Sequence, residues 1–255
     1  MSPDATGVSD QIEYMDIAAT TAVGRYYKQR FLSALDLMPG HTVIDVGCGP
    51  GTDLGRLADV VGPSGSVIGV DHDRRMLAEA GRRYANRPHI ELRLGDMRRL
   101  PLPDACVDRA RTDRVMQHVA DPAAAIVQLR RVLRPGGVLG MAEPDWDTLT
   151  VADQDVEISR RFSRFVAERV RNTTIGRDVV RLAAAAGFKI SAVQAIAVVF
   201  RDFATADQIL GLQRNSARAV EAGALPERDT REWLERLPTA PFLAGFTFYL
   251  ITAHI

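Results

Sequence analysis

A glycine-rich run with an acidic residue inside it is the clearest chemical signal in this sequence. The run is Val43-Ile-Asp-Val-Gly-Cys-Gly-Pro-Gly51, and it lies between an apolar strand pattern and a helical pattern. Glycines allow a tight backbone turn there and let a ligand approach without interference from Cβ atoms. Dinucleotide-binding loops have the spacing G-x-G-x-x-G, whereas here Thr52 occupies the last glycine position. The loop therefore predicts a bound ligand, but its spacing argues against a dinucleotide.

Three carboxylates are spaced so that they could contact one ligand along this edge. Asp45 lies inside an otherwise apolar strand, where a buried carboxylate needs a partner such as a ligand ammonium group or loop amides. Asp71 ends the second strand pattern and could accept two hydrogen bonds from a ribose diol. Asp96 follows the third strand beside Met97, and this pair suits the exocyclic amine and the ring of an adenine. Ligands of open α/β sheets bind beyond the carboxyl ends of the strands, so these residues predict one shared site.

The elements that must position these residues alternate between short β-branched runs and amphipathic helical runs. Strands are predicted at 42–47, 66–71, 89–94, 105–110, 137–142, 189–200 and 242–253. Helices are predicted at about 10–37, 54–61, 74–84, 123–133, 154–171, 177–186, 205–222 and 227–237. Strands that alternate with helices in this way predict a parallel sheet with helices on both faces.

Composition and charge limit the function classes. The chain has 255 residues, of which 46% are hydrophobic and 25% charged, as expected for one large globular domain or one domain with a small appendage. Basic and acidic residues number 32 each, and this balance argues against a general nucleic-acid binder. Two cysteines, Cys48 and Cys106, exclude a disulfide framework. Neither a signal peptide nor a membrane span is recognisable, so we predict a cytoplasmic protein without membrane partners and leave a homodimer open.

Five blocks between about residues 40 and 145 resemble the class I S-adenosylmethionine-dependent methyltransferases, in the small-molecule branch that acts on ubiquinone, menaquinone and natural products. They are 43–51, 69–71, 95–97, 114–122 and 131–137, in the order and spacing of that family. The resemblance implies an α/β fold with a Rossmann-like seven-stranded sheet, mostly parallel with an antiparallel last strand, helices on both faces and a helical lid. It also implies an N-terminal helical lid segment at 1–39 and a methyltransferase domain at 40–255, with a lid insertion at about 202–240.

The resemblance implies S-adenosylmethionine as cofactor, and it assigns the residues around the methionine moiety. Gly47 and Gly49 would let that moiety lie against the loop, and Asp45 would lie near its amino group. Thr112, just past the fourth strand, would present its backbone to the same end, and Tyr14 or Met15 would close over the cofactor.

For the adenosine end, the resemblance implies that Asp71 binds the ribose hydroxyls and that His72 stacks near the adenine. Asp96 and Met97 would hold the adenine. The predicted cofactor-binding residues are, in full, Tyr14, Asp45, Gly47, Cys48, Gly49, Asp71, His72, Met76, Gly95, Asp96, Met97 and Thr112.

Three residues are candidates for catalysis on a small-molecule acceptor. His118 has a free pKa suited to base catalysis near neutrality, and the structural alternative is that it caps or packs at a helix start. Glu143 and Asp145 follow the fifth strand pattern and could deprotonate a hydroxyl or orient an amine. The structural alternative for this segment is a capped turn with a core tryptophan.

Three further residues are predicted to contact the substrate. Trp146 could stack on a flat or cationic group, and Arg177 and Gln213 (with Arg214) could bind an anionic one. Asp145 and Asp147 would need a third oxygen ligand to hold Mg²⁺, and none is identifiable, so we predict no metal site.

Two other functions fit parts of the pattern. A cyclase, pericyclase or cofactor-binding protein on the methyltransferase fold would share every cofactor motif, because fold does not determine function. An NAD-dependent oxidoreductase is opposed by Thr52 and by the absence of a Tyr-x-x-x-Lys pair. The leading hypothesis is methyl transfer from S-adenosylmethionine to a small molecule, in bacterial secondary metabolism.

Overall fold

The computed structural model describes residues 5–239 and 241–255. The strands are β1 (Thr42–Val46), β2 (Ser66–Asp71), β3 (Ile90–Leu94), β4 (Val107–Asp113), β5 (Leu133–Val151), β6 (Lys189–Phe200) and β7 (Ala244–His254). The helices are α1 (Ala5–Thr20), α2 (Ala22–Ala34), α3 (Leu54–Val61), α4 (Arg74–Arg83), α5 (Pro122–Val132), α6 (Val156–Glu168), α7 (Ile175–Ala185), α8 (Phe203–Leu210), α9 (Leu212–Glu221) and α10 (Glu227–Arg236).

The seven strands form one sheet in the order β3-β2-β1-β4-β5-β7-β6. Strands β1 to β5 pair in parallel, whereas β7 pairs antiparallel with both β5 and β6. The predicted Rossmann-like fold with an antiparallel last strand is therefore confirmed. The carboxyl ends of β1, β2 and β4 meet at one edge, and the glycine-rich loop leaves the sheet there.

Three apolar clusters cover the two faces of the sheet. On one face, α5 and α7 pack against residues such as Ile44 and Leu139. On the other face, α3 packs against β1 and β2, and α2 packs with α6 and α8–α10 over β5, β7 and β6. Since side chains alternate along a strand, Val43 and Asp45 face α2 and α3 while Ile44 faces the opposite layer. None of the described helices is long and apolar enough to cross a membrane.

Three of the differences from the predicted extents have a clear structural cause. The helix predicted over 10–37 is two helices, because Thr21 caps the second one by accepting a hydrogen bond from the Gly24 amide. The helix predicted over 205–222 is divided at Gly211, whose φ of 62° ends α8 in the left-handed conformation. The fifth strand runs to Val151 instead of ending at residue 142, because β7 supplies an antiparallel partner along its second half.

Candidate functional site

The glycine-rich loop turns back onto β2 directly after β1. Gly47 and Gly49 have φ values of 76° and 54°, in a region that residues with a Cβ rarely adopt. The Gly47 amide donates a hydrogen bond to the Val70 carbonyl at 2.7 Å. A Cβ built on Gly47 would lie 2.4 Å from the Val115 side chain, and one built on Gly49 would lie 3.1 Å from Met15 Sδ. Both positions therefore require glycine for their conformation, and Gly47 requires it for space as well.

Asp71 joins the end of β2 to this loop. Its Oδ2 accepts a hydrogen bond from the Gly49 amide at 2.8 Å, and its Oδ1 accepts one from the Asp73 amide at 2.9 Å. The neighbouring His72 side chain is 87% exposed, and its Nδ1 lies 3.4 Å from Asp71 Oδ1. Because each carboxylate oxygen can accept more than one hydrogen bond, Asp71 keeps acceptor capacity at the loop.

Gly95 and Asp96 follow β3 at the same edge. The Gly95 amide donates to the Asp71 carbonyl at 2.9 Å, which holds the ends of β2 and β3 together. Asp96 lies further out and pairs with Arg98 at 2.5 Å. Hydrogen bonds from the Arg98 side chain and backbone lower the pKa of Asp96 to about 2, so this carboxylate is ionised at neutral pH.

Apart from Asp45 and Asp71, four predicted cofactor residues have buried side chains. Cys48 packs among apolar residues of α3 and β2, and this burial raises the pKa of its thiol. Met76 and Met97 are also buried, and Met97 belongs to the apolar cluster on the opposite face. Thr112 lies inside β4, not beyond it, and its buried hydroxyl has no hydrogen-bond partner among the described residues. Of the four, only Thr112 has a polar side-chain atom left without a partner.

Five charged side chains form a buried network between α2 and the sheet. They are Lys28, Asp45, Asp53, Arg111 and Asp113. Arg111 Nη2 lies 2.9 Å from Asp53 and 3.0 Å from Asp113. Its Nε lies 3.3 Å from Asp45. Lys28 of α2 contacts Asp53 as well and lies 3.0 Å from Asp113, so the network ties α2 to β1, to β4 and to the residue before α3.

The members of this network shift the pKa of one another. Burial raises the pKa of Asp45 to about 6, although the attraction of Arg111 opposes this shift. Burial also disfavours ionisation of Asp53, but Arg111 and Lys28 overcome it and hold the pKa of Asp53 below its usual range. Within the network, Asp45 is therefore the carboxylate whose ionised form would gain most from a further nearby cation.

An apolar cavity, partly open to solvent, lies beside the network. Its lining residues come from α1, α2, α8, β5, β6, β7 and the turn after β4: Tyr14, Ala18, Thr21, Val23, Gly24, Tyr27, Arg114, Gln117, Pro144, Trp146, Val198, Phe200, Ile209, Phe246 and Phe248. Trp146 stacks on Phe246 with ring centroids 5.0 Å apart, and the Tyr27 ring lies 4.6 Å from that of Phe248. Burial raises the pKa of Tyr27 to about 12, so this phenol keeps its proton.

Arg114 brings a charge to this otherwise apolar cavity. Its φ of 60° lies in the left-handed region, which costs a non-glycine residue about 1–2 kcal/mol. The Arg114 side chain is 22% exposed, and its Nε lies 3.4 Å from Asp113 Oδ1. This Nε is buried without a hydrogen-bond partner among the described residues.

Glu143 lies where it can hold the backbone of the turn after β4, and not where it could act on a substrate. It is fully buried in β5, where its Oε1 accepts hydrogen bonds from the amides of Val115 at 3.0 Å and Met116 at 2.9 Å. Its Oε2 accepts a longer one from the Gln117 amide at 3.4 Å. Burial raises the pKa of Glu143 to about 8, although these amides oppose the shift. The side chain does not line the cavity, so we assign Glu143 to holding the turn after β4.

Four other predicted catalytic or substrate residues, His118 among them, lie outside the cavity lining. Asp145 is buried and pairs with Arg177, whose Nη2 lies 2.7 Å from Asp145 Oδ1. Arg177 also reaches Asp147 at 3.3 Å, so its guanidinium is engaged by two carboxylates. Gln213 is exposed on α9 and donates a hydrogen bond to Asp207 at 2.6 Å. Because residues alternate along β5, its even-numbered residues face the cavity here while Asp145 faces away.

The structure does bring Trp146 to the cavity, and it links this residue to the turn after β4. Trp146 Nε1 donates a hydrogen bond to Gln117 Oε1 at 2.7 Å.

His118 follows Gln117 in the turn after β4 and is exposed. Partial desolvation of its ring and repulsion from the Arg114 and Arg171 guanidinium groups lower the pKa of His118, so its neutral form predominates at pH 7.

Sequence reasoning missed the residues that join the N-terminal helices to the sheet. Lys28 is one of two lysines in the chain, and its place in a helix with an apolar stripe was a usable signal. Arg111 lies in β4, which is central in the observed sheet, and Arg114 follows it, and charged side chains at such positions need buried partners. Tyr27 offers no such signal, because a tyrosine in an amphipathic helix is an ordinary core residue.

The sequence of this chain is similar to those of known proteins. A family model described as a methyltransferase domain matches residues 37–187. A protein of Streptomyces fradiae, described as an uncharacterized 37.1 kDa protein in transposon TN4556, is 53% identical over 250 residues, which cover 98% of this chain and 72% of that protein.

Two more distant similarities concern proteins named as methyltransferases. The 2-phytyl-1,4-naphtoquinone methyltransferase of Synechococcus elongatus is 34% identical over 155 residues, which cover 56% of this chain and 66% of that protein. The crystal structure of a putative methyltransferase from Bacillus halodurans superposes with a TM-score of 0.63 at 16% identity, covering 88% of this chain and 96% of that one. At this identity the structural match shows a shared fold.

Proposed function

Because this chain belongs to the class I S-adenosylmethionine-dependent methyltransferases, we propose that it transfers the methyl group of that cofactor to a small apolar acceptor. The observation that carries the acceptor class is the apolar cavity between the N-terminal helices, the turn after β4 and the ends of β5, β6 and β7. The similarity to a protein named as a naphthoquinone methyltransferase supports an acceptor of this kind. A role in bacterial secondary metabolism stays a prediction.

Two features of the sheet edge fit the cofactor. Gly47 and Gly49 form a cradle with left-handed backbone, in which a Cβ on Gly47 has no room, and the buried hydroxyl of Thr112 has no partner among the described residues. Asp71 would hold the ribose hydroxyls, and Asp45 would attract the ammonium group of the methionine moiety. When bound, S-adenosylmethionine supplies a methyl group that is already activated on a sulfonium sulfur.

The chain's own contribution to the reaction is alignment and desolvation. The cavity walls exclude water from an apolar acceptor, and the stacked Trp146 and Phe246 rings give it a flat surface. We assign the lid to α1 and α2 on one side and to α8–α10 on the other. His118 is our candidate for the group that accepts the acceptor's proton, since its neutral form predominates at pH 7 and it lies beside the cavity residue Gln117.

Replacing Asp71 by alanine should weaken the binding of S-adenosylhomocysteine by about 1.5–3 kcal/mol, or roughly 10- to 150-fold. The change removes charge-assisted hydrogen bonds to the ribose and also releases the Gly49 amide from its acceptor. Isothermal titration calorimetry measures the effect. Asp59→Ala, which removes an exposed carboxylate on α3, is the control and should bind like the wild type. Equal affinities of Asp71→Ala and the wild type would show that the ribose assignment is wrong.

Methyl transfer itself is tested with S-adenosylmethionine and a panel of quinols, phenols and aromatic acids. We expect a product heavier by one methylene group in mass spectrometry, formed together with S-adenosylhomocysteine. Binding of S-adenosylhomocysteine without methylation of any panel member would favour the cyclase or cofactor-binding alternative. Failure to bind S-adenosylhomocysteine, with binding of NADH instead, would overturn the proposal.

A further inference from the structure

Arg114 is the one cation that lines the apolar cavity within the described part of the chain. Every other lining residue is apolar, aromatic or uncharged. A guanidinium that lies partly out of water needs acceptors for its five N–H groups. Its Nε is buried and lacks any hydrogen-bond partner among the described residues, which leaves the group short of acceptors.

The nearby carboxylate of Asp113 does not provide the missing hydrogen-bond acceptor. Asp113 lies 3.4 Å from Arg114 Nε, beyond hydrogen-bond geometry, and it already interacts with three other side chains. Lys28 and Arg111 each approach it at 3.0 Å, and the Tyr27 hydroxyl donates to it at 3.3 Å. Arg114 is therefore held near Asp113 but is free to donate toward the cavity.

The backbone also holds Arg114 in place at this point. Its left-handed φ of 60° is fixed by the hydrogen bond from its amide to the Ala142 carbonyl at 2.8 Å. The Gln117 side chain donates to its carbonyl oxygen at 3.1 Å. A strained conformation that the surroundings enforce is a frequent property of functional positions.

We propose that Arg114 is a specificity-determining residue that binds an anionic oxygen of the acceptor. The cavity then selects apolar ring compounds that carry a carboxylate or an ionised hydroxyl group. Planar guanidinium groups bind such oxygens through two parallel hydrogen bonds, and the aromatic walls bury the ring. The inference rests on the proposed function for the identity of the cavity as the acceptor site.

The test compares matched anionic and neutral probes on protein saturated with S-adenosylhomocysteine, by calorimetry at about pH 8. One pair is naphthoate and naphthamide, and the other is p-nitrophenolate and p-nitroanisole. We expect the wild type to bind the anion of at least one pair about tenfold or more tightly than its neutral partner. The pair that shows the preference identifies the source of the oxygen as carboxylate or ionised hydroxyl.

Arg114→Met should lose this preference, and Arg114→Lys should retain part of it because it keeps the charge without the planar fork. Arg160→Met removes an exposed arginine of α6 and should behave like the wild type. Affinity for S-adenosylhomocysteine, measured in each variant, tests the proposed function separately. Equal binding of anions and neutral partners by the wild type, binding of no probe, or a preference that survives in Arg114→Met would each overturn the inference.

Discussion

Replacing Arg111 by methionine is expected to lower the free energy of unfolding at pH 7 by about 3–5 kcal/mol. Arg111 is buried, and its guanidinium faces Asp45, Asp53 and Asp113. Methionine fills much of the same space but leaves these carboxylates with Lys28 as the one remaining cation of the buried network. Urea unfolding followed by circular dichroism measures the loss.

Lowering the pH should narrow the gap between Arg111→Met and the wild type. Without the guanidinium the carboxylates have raised pKa values in the folded variant, so its stability improves as the pH falls through those values toward the ordinary carboxylate pKa of about 4. In the wild type the depressed pKa of Asp53 acts in the opposite sense, because its stabilisation is lost as the pH falls.

The matched control is Arg109→Met on the same strand. The Arg109 guanidinium donates to the carbonyl oxygens of Leu35 and Asp36. Its loss leaves no uncompensated buried charge, so we expect a cost of about 1–2 kcal/mol with little pH dependence. If Arg111→Met and Arg109→Met lose the same stability at every pH, the network does not act through charge.

Replacing Glu143 by alanine is expected to cost about 3–5 kcal/mol of unfolding free energy. Three amides of the turn after β4 lose their acceptor in a site from which water is excluded. Glu143→Gln keeps an oxygen for the Val115 and Met116 amides and should cost about 1 kcal/mol or less at pH 7. Unfolding in urea distinguishes these values.

The difference in unfolding free energy between the wild type and Glu143→Gln should also depend on pH, and the pKa of Glu143 gives the sign of that dependence. Burial raises the pKa of Glu143 in the folded state to about 8, against an ordinary value of 4.5. Its contribution to stability is therefore complete at low pH and is lost as the pH rises through about 8. The wild type should lose stability relative to Glu143→Gln between about pH 5 and pH 9. A constant difference over that range would show that the carboxyl group is ionised throughout.

The features that the sequence predicts correctly depend on local patterns. Strand and helix periods identified the seven strands, and the position of Asp71 at the end of β2 follows from those periods alone. The adjacency of Asp71 to the glycine-rich loop then follows from the general rule for parallel sheets. Gly47 and Gly49 were recognisable because their spacing and the preceding strand occur together.

The features that could not be predicted depend on contacts between distant parts of the chain. The extension of β5 to Val151 needs β7, nearly a hundred residues later, as its partner. That extension moves Glu143 and Asp145 from a supposed strand tip into buried positions. The buried network likewise depends on α2 docking against β4, since Lys28 and Arg111 indicate that buried partners are needed but not which element supplies them.

Because the chain has two lysines, the reactivity of their amines can report the motion of the N-terminal helices. Lys189 is exposed, whereas Lys28 is 5% exposed and engaged by two carboxylates. An amine-selective reagent should acylate Lys189 rapidly and Lys28 only when α2 separates from the sheet. The rate of Lys28 acylation, read from peptide masses, therefore measures opening of the N-terminal helices. S-adenosylhomocysteine should slow it if these helices close over the cofactor, and an unchanged rate would show that they do not.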